Sequence, residues 1–168
     1  PQLRAVVPAV VETIQMARDA GVRVLYCRHT SLPKELMGVS QLRTAMAWQR
    51  AGSVDDVRSL FLPNTPGWEL IPEVAPQPSE AVFDKLGMSA FAGTRLDMIL
   101  RDCGIWAFAV VGVVLEIGIG PTVSHGTDLG YVPVVVADAC GSVDAEARER
   151  TLTMIDHSLM SITTDCAA

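Results

Sequence analysis

Residues 112–122 read GVVLEIGIGPT, and how this corner is interpreted decides the fold. Backwards from it runs WAFAVVGVVL, a near-continuous apolar segment that reads as a strand buried on both faces. Forwards, Pro121 lacks an N–H and suits a helix's first turn, so a helix begins close to Gly118. The unpaired N–H groups of that helix are expected to point back at the strand end and to form an oxyanion site from backbone alone. Glycines 112, 118 and 120 invite comparison with a dinucleotide-binding loop, but Val123 stands where the third glycine of G-x-G-x-x-G belongs and Glu116 would oppose an anion.

Outward from this corner the chain alternates strands with helices. Leu3–Ala20 carries apolar residues at helical spacing and stops at Gly21, and VRVLYC (22–27) follows as a strand that delivers Arg28 and His29. A long middle with turn signals at NTPGW and APQPSE is expected to be mostly loop, with one short helix over 41–51. Then come strand AVFDK ending at Lys85, helix 89–104, strand 106–115, helix 118–129, strand VPVVVADA (132–139), helix 144–160 and a brief ITT. Strands built of Val, Ile and Ala runs predict an α/β fold: a Rossmann-like three-layer sandwich with a mostly parallel sheet covered by helices on both faces. In such sheets ligands bind outside the carboxyl ends of the strands. Those ends carry residues 27–29, Lys85, 115–118 and 138–140.

With 168 residues, about half of them apolar, the chain can bury one sizeable core, so a single domain over 1–168 is expected. A formal charge of -6 and the lack of any Lys/Arg cluster argue against nucleic acid as a partner. The longest uncharged apolar run, 105–115, is shorter than the ~18 residues of a membrane span. Four scattered cysteines without a C-x-x-C pair and no basic leader predict a cytoplasmic protein with reduced thiols, and no metal centre.

Taken singly, the candidate residues leave two readings open. Lys85 is a solvated strand-end lysine or an ammonium buried beside an acid and a nucleophile, where it can share protons and hold negative charge. His29 has no second ligand at metal spacing and reads as a pocket-rim histidine. His125 and His157 suit polar helix faces. Cys27 and Cys140 are small buried hydrophobes unless a cation or helix N-terminus lowers their pKa. Trp48, Trp68 and Phe91 are core aromatics or pocket walls.

Read together, TPGWELIPEVAPQPSEAVFDKLGMSAFAGTRLDMILRDCGI, AVVGVVLEIGIGPT and DLGYVPVVVADAC are similar in order and separation to the isochorismatase-like cysteine hydrolases. That superfamily includes nicotinamidases, N-carbamoylsarcosine amidohydrolases, and biuret and ureidoacrylate amidohydrolases. The resemblance runs from about Leu3 to the C-terminus. It implies an Asp, Lys and Cys triad in which Lys85 takes the lysine's place. The cysteine's place holds Gly118, and the aspartate's strand would stand upstream of residue 1. It further implies a substrate pocket at His29, Trp68, Phe91, Leu115, Glu116 and Ile117, no cofactor, a small-molecule substrate and a homodimer or homotetramer.

Glycine has no atom with which to form the acyl-enzyme of a thiolate mechanism. Three expectations follow from the resemblance. The first is hydrolysis of a small amide, ureide or related carbonyl compound without the usual thiol, or with one from elsewhere such as Cys27. The second is a pseudoenzyme that binds a small carbonyl compound or carboxylate. The third is a thiol-free vinyl-ether hydrolase of the isochorismate type.

Overall fold

The computed structural model describes residues 2–158 and 161–166. Two helices open it, α1 (Gln2–Ala5) and α2 (Val7–Asp19), with Pro8 in the first turn of α2 where its missing N–H is harmless. The single helix expected over 3–20 is thus divided at Val6. Strand β1 (Leu25–His29), helix α3 (Val39–Gln49), strand β2 (Ala81–Lys85) and helix α4 (Leu96–Asp102) follow. The second half holds β3 (Ala107–Val113), a π-helical turn (Leu115–Ile119), α5 (Gly120–Asp128), β4 (Val132–Gly141), α6 (Ala145–His157) and β5 (Ile162–Thr164). Leu159 and Met160, expected to end the last long helix, lie outside the described residues. Among the described residues no helix is long and apolar enough to cross a membrane.

Every strand pairing is parallel, as the apolar runs predict, but the strands form two sheets: β1-β2, and β3-β4-β5. Among the described residues no ladder joins β3 to a strand other than β4. That position has a consequence for burial. Ala107, Ala109 and Val113 of β3 are exposed, where burial on both faces is expected from sequence, whereas β4, with neighbours on both sides, is buried almost throughout.

Three apolar clusters fill the space between sheets and helices. Phe83, Phe91, Leu96, Leu100 and Tyr131 form one, and Leu25 and Cys27 of β1 together with Phe108 of β3 pack against it, so the two sheets share a core. Leu115, Ile119, Val123, Val135, Cys140 and Ile155 form the second, beneath the π-turn. Val136, Ala139 and Cys166 form a third, against which α2 packs Ala9 and Val10.

The β3-β4 ladder slips between Val110 and Gly112, whose partners are Val135 and Cys140. Gly112 absorbs this irregularity at φ 114°, a region that side chains disfavour. The Val113–Val114 peptide bond that follows is cis.

Candidate active site

The parallel register of β1 and β2 sets Cys27 opposite Phe83 and His29 opposite Lys85. Because side chains alternate along a strand, these four share one face. Phe83 and Cys27 meet the first apolar cluster there. Lys85, at the strand's end, turns its Nζ onto the following turn, donating to the Gly87 carbonyl at 3.0 Å and to that of Met88. Burial pushes the Lys85 ammonium below its ordinary pKa, and the nearby Cys27 thiol opposes that shift.

The π-turn brings Gly118 to the same place. A Cβ built on Gly118 would lie 3.8 Å from Lys85 Nζ and, among the described residues beyond its own turn, would meet no other atom within 4 Å. Geometry therefore places the ammonium against the position for which the sequence resemblance implies a nucleophile. The N–H groups of Ile117, Gly118 and Ile119 do turn back towards the strand end, but they are not unpaired as expected. All three donate to the Val114 carbonyl, at 3.3, 2.8 and 3.2 Å. A π-turn winds wider than an α-helix, and here it folds these three donors onto the carbonyl of Val114, the residue just after β3. The oxyanion site expected from those three donors is not present.

Ser89 and Thr122, which sequence reasoning left aside, and His125, which it set on a polar helix face, hold Lys85's turn against α5. Thr122 Oγ1 accepts from Ala90 N at 2.9 Å and donates to the Gly118 carbonyl at 2.6 Å. Ser89 Oγ lies 3.0 Å from His125 Nδ1 and accepts from Phe91 N at 3.1 Å. The signal was present in SAFAGT and in the helical spacing of Thr122 and His125, which lie three residues apart on one face.

His29 packs edge-on to Trp48 and Phe61, with ring centroids 5.4 and 5.3 Å away. Burial, and then the Lys85 charge, push its pKa down. It lines a cavity of about 410 Å³ together with Gln41, Trp48, Arg58, Phe61 and Met88, a volume suited to a small ligand. Lys85 itself does not line that cavity. The turn Leu86–Met88 does, and two of its carbonyls, those of Gly87 and Met88, accept from the ammonium.

The other expected pocket residues are placed elsewhere. Trp68 lies on the opposite face of the strands, where the Arg28 guanidinium stacks 3.5 Å from its ring centroid and also pairs with Asp84 at 2.8 Å. Phe91 is a core residue, stacked on Tyr131 and edge-on to Phe108. Leu115 is fully buried in the second cluster. Both are apolar side chains at the inner side of a corner, and core packing claims them ahead of a solvent-filled cleft. Glu116 ties the π-turn to the end of β4, accepting from Ser142 Oγ at 2.7 Å and Val143 N at 3.0 Å. Ile117 is half-buried in the π-turn beside Gly118.

Neither inward cysteine is a thiolate at neutral pH. Burial pushes Cys27 up to about 11, despite the opposing pull of Lys85, and Cys140 up to about 12. Among the described residues no three His, Cys, Asp or Glu side chains gather as a metal site.

The Isochorismatase domain model matches residues 1–165. The ureidoacrylate amidohydrolase of Azorhizobium caulinodans is 27% identical over 81% of this chain and 62% of that protein. A streptothricin hydrolase of Streptomyces noursei is 38% identical over 51% of this chain and 31% of that protein. The matches thus span less than two thirds of the length of these relatives. Among solved structures, an isochorismatase family protein from Desulfovibrio vulgaris superposes with a TM-score of 0.82 at 26% identity, over 97% of this chain and 81% of that one.

Proposed function

Because this chain belongs to the isochorismatase domain family, we propose that it is part of a hydrolase that cleaves a small amide or ureide with water instead of a protein thiol as nucleophile. The observation that carries this reading is the 3.8 Å between Lys85 Nζ and the Cβ position of Gly118. A cation stands at the reaction centre while the side chain that would form an acyl-enzyme is missing.

Water attacks the carbonyl carbon, forming a C–O bond. The tetrahedral oxyanion gains charge stabilisation from the ammonium. The C–N bond then breaks, the nitrogen takes the proton that a base removed from the attacking water, and an acid and an amine or ammonia leave. The likeness to a ureidoacrylate amidohydrolase supports the C–N bond as target.

The base for this step belongs to an aspartate on a strand preceding residue 1, seated between β1 and β3. The division of the sheet and the exposed residues of β3 support that place. The family resemblance further supports a homodimer or homotetramer, and the scattered cysteines support a reducing, cytoplasmic setting.

The test is ammonia release from a panel of small amides and ureides by the protein with its upstream sequence. The wild type is expected to turn over at least one compound with iodoacetamide having no effect. Lys85→Met is expected to lose at least ~100-fold in kcat/KM, the scale of one oxyanion contact. Inhibition by iodoacetamide with an adduct on Cys27 would sink the thiol-free mechanism.

A second reading, a binding protein without turnover, is favoured by the turn's three N–H groups being satisfied internally. It predicts that ligands raise the melting temperature while no product forms over days. A third, vinyl-ether hydrolysis of the isochorismate type, is tested by adding an enol ether to the same panel.

A further inference from the structure

The cavity beside Lys85 has a charge pattern that narrows the substrate class, an inference that rests on the hydrolase reading above. Among the described residues no Asp or Glu lines it, Arg58 is its one fully charged side chain and His29 its one other titratable group. In a chain with 19 acidic and 13 basic residues, a wall free of carboxylates departs from the composition.

The main chain of Arg58 is held in place. Gln49 of α3 grips its main chain at both ends, accepting from Arg58 N at 3.0 Å and donating to Arg58 O at 2.8 Å. Its guanidinium enters no ion pair among the described residues. The nearby Asp56 carboxylate is engaged by Ser53, through both its N–H and its hydroxyl. Arg58 is exposed, and the turn after Lys85, Leu86–Met88, lines the same cavity. Gln41, on the same wall, has a buried Oε1 that no protein donor satisfies, an acceptor suited to an amide N–H.

We propose that Arg58 is a specificity-determining residue that reads a carboxylate at one end of a small amide or ureide whose scissile carbonyl is directed toward the Lys85 turn. A planar guanidinium suits a carboxylate in bidentate fashion. A substrate with a cationic tail meets only positive charge on this wall and is excluded.

Three matched ligands test this: succinamate (anionic), succinamide (neutral) and 4-aminobutanamide (cationic), with dissociation constants from calorimetry and ammonia release measured in parallel. Succinamate is expected to bind about tenfold tighter than succinamide at low salt, a charge-assisted contact reduced by exposure. In Arg58→Met the two are expected to bind within about twofold of each other, and Arg58→Glu is expected to prefer 4-aminobutanamide. Equal affinities in the wild type, a preference that survives Arg58→Met, or no binding of any of the three overturns the assignment. The two proposals fail separately. Charge-selective binding without ammonia release removes the hydrolase reading and leaves Arg58 as the anion reader. Ammonia release without charge selection does the reverse.

Discussion

Gly118 owes nothing to backbone conformation. It is not among the glycines with positive φ, and a Cβ there makes only ordinary contact with Lys85 Nζ. Gly118→Ala is therefore expected to leave stability unchanged or raise it by up to ~1 kcal/mol, since it removes unfolded-state freedom at no steric cost. Gly118→Cys sets a thiol beside an ammonium, the environment that lowers a thiol's pKa. Labelling with iodoacetamide at neutral pH, followed by peptide mapping to separate the exposed Cys103, is expected to modify the introduced thiol at least ~10-fold faster than Cys27 or Cys140. Equal rates would show that Lys85 does not act on position 118. At this scale the sequence was enough to set Lys85 at the end of one strand and Gly118 in the corner after another, and the structure brings these two positions side by side. Trp68, Phe91 and Leu115 were illegible in the sequence: which face a side chain takes, and whether core or cleft receives it, depends on packing partners far away in the chain.

The elements show the same division. Parallel strands were readable from apolar runs, yet β1 is displaced from 22–27 to Leu25–His29, because pairing with β2 through Lys85 fixes its extent. Helix 89–104 shrinks to Leu96–Asp102. Ser89 and Thr94 capture the N–H groups of Phe91 and Leu96 at 3.1 Å each, offering local side-chain bonds that compete with helix formation. The loop so formed docks on α5 through Thr122. Thr122→Val keeps the shape but removes the acceptor of the Ala90 N–H, which is buried. We expect a loss of about 1–3 kcal/mol in urea unfolding, the penalty of an orphaned buried donor. A larger fractional loss of turnover than Ser124→Ala is also expected, because the loop carries the carbonyls that seat Lys85. Ser124 Oγ bonds only the Gly120 carbonyl of its own helix. Thr122→Val matching Ser124→Ala in both measurements would refute a role for this tie.

Across the whole molecule, the α/β class was legible from strand and helix rhythm, while the division into two sheets was not, since pairing order is a property of three-dimensional neighbours. What joins the first half is a polar knot that composition does not reveal. Arg18 of α2 forms two bonds of 2.8 Å with Glu80, just before β2, and reaches Tyr26 Oη of β1 and the Ala75 carbonyl at 3.2 Å each. The Glu80 side chain is only 7% exposed, and it also accepts from Gln77 N at 2.7 Å. These bonds, the one to Arg18 foremost, hold its carboxyl at about 2, against an ordinary 4.5. The folded pKa is depressed, so the ionised form binds the fold together above pH 4.5, and this contribution is lost as pH falls from about 4.5 towards about 2. Melting temperature measured across pH 2–7 in low salt is expected to fall along that window. Glu80→Gln is expected to be less stable than wild type at pH 7 and to converge on it near pH 2, with a shallower acid slope between. Surface pairs such as Arg150–Glu146, both more than two thirds exposed, are screened by solvent and contribute little. Glu146→Gln is accordingly expected to leave the profile unchanged. If Glu80→Gln kept the wild-type acid slope, the carboxylates elsewhere in this acidic chain would be responsible, and the knot between α2, β1 and β2 would not govern acid stability.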